Sequence, residues 1–121
     1  MTADTRIEDW DAYSAGLRDH GRELTVLHPE LMKGFGALSR GAATTKHLDA
    51  KTRELIALAV SVTTRCEGCI DAHARKAKAA GATKEEIAEA LGVAIALNAG
   101  AALTYSLHVL DAVDGTEDRR A

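Results

Sequence analysis

The sequence predicts an all-α fold, a compact bundle of about five to six helices in a single domain that spans residues 1–121. Apolar residues recur at helical spacing along most of the chain, and no segment alternates apolar and polar residues as a half-buried strand does. Alanine is abundant while aromatic residues make up only 3% of the chain, which favours helices whose backbones approach closely. A chain of 121 residues is long enough for one modest core.

Two helices are predicted in the first third of the chain. The first is expected from about Ile7 to Val26, and the second begins at Pro29, because proline suits the first turn of a helix. A loop is expected from Gly41 to Lys46. One face of the first helix is predicted to consist of Ile7, Trp10, Tyr13, Ser14, Leu17 and Leu24, and the second helix carries Leu31, Phe35 and Leu38.

A third and a fourth helix are predicted on either side of the first cysteine. Asp49 is expected to cap the third helix, which ends near residues 63–65. The fourth is expected from Glu67 to Ala80, with Gly81 in a left-handed conformation at its end. The buried stripe of the third helix is predicted to consist of Leu55, Ile56, Leu58, Ala59 and Val62.

The capping box Thr83-Lys84-Glu85-Glu86 predicts the start of a fifth helix. A break or kink is expected at residues 98–100, followed by a last helix from about Ala101 to Val113. Residues 114–121 are polar and are expected to form a frayed tail.

Residues 90–107 carry no charge over eighteen positions, a length at which a membrane span must be considered. Most of these residues are small, and large aliphatic side chains occupy only six positions. A helix of this composition is more typical of one buried between neighbouring helices, so we predict no membrane partner.

The remaining bulk properties restrict the function. The net charge of -3 provides no basic surface for nucleic acid. No positively charged apolar leader opens the chain, so a cytoplasmic location is expected. The only two cysteines form one Cys-x2-Cys, which indicates redox or metal chemistry rather than a secreted domain stapled by disulfides.

The chemistry is concentrated in the pattern Glu54-x11-Cys66-x2-Cys69-x3-His73. On a helix, Cys69 and His73 are neighbours because they are four positions apart, so His73 is placed to accept a thiol proton. A carboxylate bound to that imidazole would fix its tautomer and raise its basicity, which is the role available to Glu54. At the start of a helix, unpaired N–H groups would favour the Cys66 thiolate.

Other interpretations of the same residues stay open at the level of sequence. The cysteines could be small core hydrophobes. They could also bind zinc together with His73 and Glu54, although structural zinc usually draws its ligand pairs from two separate segments. Glu54 could instead form a surface ion pair with Arg53 or Lys51.

Three segments resemble the alkylhydroperoxidase D-like group of the carboxymuconolactone decarboxylase superfamily. They are residues 48–59 (LDAKTRELIALA), 66–73 (CEGCIDAH) and 80–87 (AGATKEEI), and the resemblance extends over residues 48–113. Its specific part is the Glu-x11-Cys-x2-Cys-x3-His spacing. The resemblance implies an all-α subunit that assembles as a homo-oligomer, either a trimer or a hexamer.

The resemblance also implies a thiol–disulfide oxidoreductase that reduces hydroperoxides or protein disulfides. Glu54 and His73 would form a proton relay, and Cys66 and Cys69 the redox pair. No bound cofactor or metal is implied, and an external dithiol such as dihydrolipoamide or a thioredoxin-like protein would restore the thiols. Gly68 is a departure, because well-studied members carry a second histidine at this place.

Two alternatives belong to other functional classes. The decarboxylase branch of the superfamily would use His73 as a general acid or base on a small lactone acid, but that branch lacks the paired cysteines. The other alternative is a non-enzymatic oligomeric redox sensor, in which the dithiol only changes packing.

Overall fold

Five α-helices make up the part of the chain that the computed structural model describes, residues 9–120, with side chains described through residue 116. No strand occurs among these residues, so the predicted all-α class is confirmed. α3 lies at the centre and packs against α4 and α5, while α1 packs against α2 and α4. The helices are α1 (Trp10–Leu27), α2 (Pro29–Ala43), α3 (Ala50–Thr64), α4 (Glu67–Ala79) and α5 (Lys84–Arg120).

The first two helices follow the sequence signals with shifted ends. Asp9 caps α1 by accepting a hydrogen bond from the Ala12 N–H at 2.9 Å, and the predicted contribution of Ile7 lies outside the described residues. Pro29 stands in the first turn of α2, as predicted. The loop expected from residue 41 starts only at Thr44, whose hydroxyl donates to the Arg40 carbonyl at 2.9 Å and closes the last turn.

The start of α3, the end of α4 and the start of α5 follow the local signals predicted for them. The Asp49 carboxylate accepts from the Thr52 N–H at 2.7 Å at the start of α3. Gly81 has φ +85, the left-handed conformation expected after α4. The capping box is confirmed by two reciprocal bonds, from the Thr83 N–H to Glu86 at 2.9 Å and from the Glu86 N–H to the Thr83 hydroxyl at 3.1 Å.

The buried stripe of α3 differs from the predicted one. Its buried residues are Glu54, Leu58 and Ser61, which are spaced i, i+4, i+7 and therefore lie on one face. Of the five predicted residues only Leu58 is buried, and Ile56 is 49% exposed. The prediction was wrong because it ranked positions by hydrophobicity, whereas packing against α4 and α5 turns a partly polar face inward.

The last helix is continuous from Lys84 to Arg120, so the predicted break at residues 98–100 and the separate last helix are wrong. The Asn98 side chain donates to the Ala94 carbonyl at 2.7 Å, so it bonds to its own helix without interrupting it. Alanines around Gly100 have the highest helix propensity and offset the cost of about 1 kcal/mol that a helical glycine carries. Residues 114–120 continue the helix instead of forming a frayed tail.

Most of α5 is exposed in the single chain, so the subunit's own helices do not supply the burial predicted for this helix. Ala94 is buried, but Val93, Ile95 and Leu103 are each more than half exposed. By length and composition alone, residues 84–116 also form a helix that could span a membrane. The aliphatic surface of α5, which comprises Val93, Ile95, Leu97, Leu103, Leu107 and Leu110, is therefore uncovered in the isolated subunit.

α1 is fixed against α4 by a charged bridge and a close contact. The Arg75 guanidinium donates to Asp71 through Nε and to Asp11 through Nη2, both at 2.9 Å. Asp71 is buried, and the Arg75 guanidinium lowers the pKa of its carboxyl. On the same side, a Cβ placed on Gly68 would lie 3.2 Å from Leu17 Cδ1, so α1 closely approaches the first turn of α4.

Candidate active site

The connection between α3 and α4 places the first cysteine at a helix start. Arg65 ends α3 in the left-handed conformation, with φ 54 and ψ 53, which lets α4 return alongside α3. The Cys66 N–H donates to the Ser61 carbonyl at 3.1 Å. The Cys66 sulfur is the N-cap of α4 and accepts from the Cys69 N–H at 3.1 Å. The local backbone therefore holds both cysteines at the positive end of the α4 dipole.

The two cysteines are joined by a Cys66–Cys69 disulfide. Both residues are half-buried, so the disulfide is reachable from solvent and neither sulfur is sealed in the core. The interpretation of these cysteines as core hydrophobes is therefore wrong.

His73 and Glu54 form the shortest hydrogen bond between different helices in the described part of the chain. His73 Nδ1 lies 2.6 Å from Glu54 Oε2, and Glu54 is buried with 5% of its surface exposed. Arg53 Nε lies 3.8 Å from the other carboxylate oxygen. Lys51, the alternative partner, pairs with Glu86 at 2.8 Å, and this contact raises the pKa of the lysine. Glu54 is thus a buried partner of the imidazole, the predicted ion pair with Lys51 is wrong, and Arg53 is a more distant contact of the same carboxylate.

A cavity of about 380 Å³ opens between the C-terminal end of α2, α3 and α4. Glu54, Cys69 and His73 line this cavity, whereas Cys66 does not. Most of its remaining wall is small or aliphatic, formed by Ala42, Ala43, Ile56, Ala57 and Val60. A molecule in the cavity would therefore meet one cysteine of the disulfide and the Glu54–His73 pair in an otherwise largely apolar setting.

Arg53, Lys76 and Ser61 are among the cavity residues that sequence reasoning did not assign to the site. Arg53 directly precedes Glu54, and Lys76 follows His73 by three positions on the same face of α4, so a search for charged neighbours at helical spacing could have found both. Ser61 is almost fully buried and donates to the Ala57 carbonyl at 2.6 Å. Nothing in the local sequence distinguishes Ser61 from the exposed hydroxyl residues after it.

The other four histidines, His20, His28, His47 and His108, are exposed and do not line the cavity. In the part of the chain that the structure describes, no three His, Cys, Asp or Glu side chains are grouped to hold an ion. In the disulfide form, the two sulfurs are not available as thiolate ligands.

The five-helix architecture and the Glu-x11-Cys-x2-Cys-x3-His spacing define a class of small all-α subunits. The carboxymuconolactone decarboxylase family model matches residues 29–112. The chain therefore belongs to the carboxymuconolactone decarboxylase family, which confirms the superfamily inferred from the three sequence segments.

The chain is also similar to two bacterial proteins and to one solved structure. A protein of Haemophilus influenzae, described as uncharacterized, is 54% identical over 104 residues, covering 86% of this chain and 92% of the relative. The uncharacterized protein 4 in the cox locus of Paracoccus denitrificans is 44% identical over 84 residues, covering 67% and 76%. The crystal structure of an apo carboxymuconolactone decarboxylase family protein from Legionella pneumophila superimposes with a TM-score of 0.69 at 34% identity, covering 84% of this chain and 91% of that one.

Proposed function

We propose that the protein is a thiol–disulfide oxidoreductase with hydroperoxide-reducing activity. One observation carries the proposal: Cys69 of a Cys-x2-Cys disulfide and a hydrogen-bonded Glu54–His73 pair line the same cavity. The disulfide supplies a two-electron redox couple, and the paired carboxylate and imidazole supply the proton acceptor that an attacking thiol requires. Membership of the carboxymuconolactone decarboxylase family supports the superfamily part of the proposal. The experiment below tests the particular reaction.

In the proposed reaction, Cys69 is the attacking sulfur because it lines the cavity and shares a face of α4 with His73. With the imidazole donating from Nδ1–H to Glu54, its Nε2 is free to accept the Cys69 proton. The thiolate attacks the terminal peroxide oxygen, the O–O bond breaks, and the leaving alkoxide takes a proton to become an alcohol. Cys69 is then a sulfenic acid.

The Cys66 thiol resolves this intermediate. Its sulfur attacks the Cys69 sulfenic acid, the disulfide forms, and one water leaves, so that a hydroperoxide and two thiols give an alcohol, water and a disulfide. An external dithiol then reduces the Cys66–Cys69 bond by exchange and itself becomes a disulfide. Dihydrolipoamide and a thioredoxin-like protein are both suitable donors in this proposal.

The departure at Gly68 bears on the relay. Leu17 of α1 approaches the position where related proteins carry a second histidine. The relay proposed here therefore consists of Glu54 and His73 alone, with an aliphatic side chain beside the dithiol.

The test is the rate at which the fully reduced protein reacts with an organic hydroperoxide, followed by residue-resolved mass spectrometry. The proposal expects a Cys66–Cys69 disulfide to form far faster than in a free dithiol. His73→Ala should slow the reaction by about 100-fold, since general-base catalysis typically contributes 10²–10⁴. His20→Ala, which removes an exposed histidine of α1, is the matched control and should leave the rate unchanged.

Single cysteine variants separate the two sulfurs. Cys66→Ser should accumulate a sulfenic acid at Cys69, while Cys69→Ser should react slowly with the peroxide. A wild-type rate no better than that of a free dithiol would overturn the peroxidase proposal.

We also propose that the subunit forms a homo-oligomer, either a trimer or a hexamer, through the aliphatic surface of α5. That surface is apolar and uncovered in the single chain, and large exposed apolar patches are typical of interaction sites. Light scattering of the purified protein should give a mass of three or six subunits. A monomer in water would contradict this proposal, and partition into lipid vesicles would indicate a membrane partner instead.

A second candidate function is decarboxylation of a small lactone acid with His73 as the general acid or base. Two cations, Arg53 and Lys76, line the cavity beside His73 and suit an anionic substrate. The double variant Cys66→Ser/Cys69→Ser decides between the two functions, because it should retain full turnover only in the decarboxylase.

A further inference from the structure

A second cavity, of about 360 Å³, adjoins the one that contains Cys69. Ala43, Arg53, Glu54 and Lys76 line both cavities, and these four residues are the shared wall. The second cavity continues toward the C-terminal end of α4, where Ala79 and Ala80 line it. An elongated ligand with its reactive end at Cys69 would therefore run past the shared wall.

Lys76 lies seven positions after Cys69 along α4. Cys69, His73 and Lys76 are spaced i, i+4 and i+7, so their side chains lie on one face of the helix. Seven residues of α-helix correspond to about 10 Å along the axis. The sulfur and the lysine therefore bracket the length of a medium aliphatic chain.

The charges of the shared wall do not balance. Arg53 lies 3.8 Å from the buried Glu54 carboxylate, whose other oxygen is bound to His73. Lys76 is exposed, and within the described part of the chain no carboxylate lies within 4 Å of its ammonium group. The wall thus carries two cations and one anion, which leaves a positive charge at the lysine.

We propose that Lys76, with Arg53 on the same wall, binds the carboxylate of an aliphatic ligand whose reactive end reaches Cys69. The identity of that reactive end rests on the proposed function, but the carboxylate site does not. The ligand chemistry has two sources, a hydroperoxide that bears a carboxylate or a dithiol acid that reduces the disulfide. In the second case, the ligand's two thiols become a disulfide while Cys66 and Cys69 gain two electrons and two protons.

Lys76 also lies in the last turn of α4, where a cation stabilises the helix dipole. Lys78 lies in the same turn and lines neither cavity. Lys78→Met is therefore a matched control that removes the same dipole interaction without touching the proposed site.

The first experiment measures binding to the oxidised protein, without any redox step, by NMR titration with octanoate and with octanamide. These probes have the same chain and differ in charge. Wild type and Lys78→Met should bind octanoate about tenfold more tightly than octanamide, a difference in binding free energy of about 1.4 kcal/mol. Lys76→Met should bind the two probes equally. The proposal would be overturned if wild type bound octanoate and octanamide equally, or if Lys76→Met kept the wild-type preference for octanoate.

Kinetic measurements then identify the source of the carboxylate. If the reductant carries it, dihydrolipoate should reduce the disulfide faster than dihydrolipoamide, and Lys76→Met should remove the difference. If the peroxide carries it, a hydroperoxy fatty acid should oxidise the dithiol faster than its methyl ester, with the same loss in Lys76→Met. Slow peroxide reaction together with octanoate selectivity would reject the peroxidase function and retain the carboxylate site.

Discussion

The imidazole of His73 is held by a carboxylate from another helix: Nδ1 lies 2.6 Å from Oε2 of Glu54, a residue nineteen positions earlier in the chain. Glu54 is buried in the interface of α3 with α4, whereas the His73 side chain is 31% exposed and faces the cavity. The carboxylate thus engages Nδ1 and leaves Nε2 as the nitrogen that can face the cavity.

Glu54→Gln should slow the peroxide-driven formation of the Cys66–Cys69 disulfide by about 10²-fold, because an amide neither fixes the imidazole tautomer nor stabilises the imidazolium that forms. The side chain keeps its size, so the fold should persist. Stopped-flow measurement of the oxidation rate against pH tests the change. Glu85→Gln, which neutralises an exposed carboxylate in the first turn of α5, should react as wild type does, and equal rates in the two variants would remove Glu54 from the relay.

The effect of Gly68→His on stability should depend on Leu17, because a Cβ at residue 68 would lie 3.2 Å from Leu17 Cδ1 and this side chain must move aside. Leu17→Ala should remove this conflict, so that the two substitutions together cost less than the sum of their separate effects. The expected coupling is about 1 kcal/mol, within the range for residues in contact. Urea unfolding of the four proteins in this double-mutant cycle measures it. Additive effects would show that α1 leaves room for a side chain at this place.

Arg65→Gly should stabilise the protein by about 0.5–1 kcal/mol, because Arg65 occupies the left-handed region, which is costly for any residue with a Cβ. Arg65→Ala removes the same charge and keeps the Cβ, so it should bring no such gain. Chemical unfolding at equal protein concentration compares them. If alanine stabilised as much as glycine, the effect would come from charge and not from backbone conformation.

Stability should fall in acid through Asp71. The Arg75 guanidinium and then the Ser14 hydroxyl lower the pKa of this buried carboxyl below its ordinary 3.8. A carboxyl whose pKa is lower in the folded than in the unfolded state stabilises the fold fully above the unfolded pKa, and this contribution is lost as the pH falls through the folded pKa.

The stability difference between wild type and Asp71→Asn should therefore be constant near neutral pH and shrink below about pH 4. Urea unfolding from pH 7 to pH 2.5 measures it. Arg75→Met should raise the pKa of Asp71, which carboxyl-resolved NMR titration can follow. A difference that did not change with pH would mean that the Asp71–Arg75 bridge does not couple to folding.

Local signals in the sequence were sufficient for most helix ends. Asp49, Pro29, Gly81 and the Thr83–Glu86 box each act on the first or last turn of one helix, and each stands where it was predicted. Such signals depend on bonds between residues three or four positions apart. The prediction of a break at residues 98–100 was wrong, because the surrounding alanines and the hydrogen bond from the Asn98 side chain to the Ala94 carbonyl maintain the helix.

The sequence by itself determined that the chain is helical and where most helices begin, and it predicted Glu54, Cys66, Cys69 and His73 as the residues of a site. Only the tertiary structure decided that α3 turns Glu54, Leu58 and Ser61 inward, that Glu54 meets His73 and not Lys51, and that Cys69 lines the cavity while Cys66 does not. It also brought Arg53 and Lys76 to one wall. Helix caps are encoded within a turn, whereas the buried face of a helix and its charge partners depend on how distant helices pack.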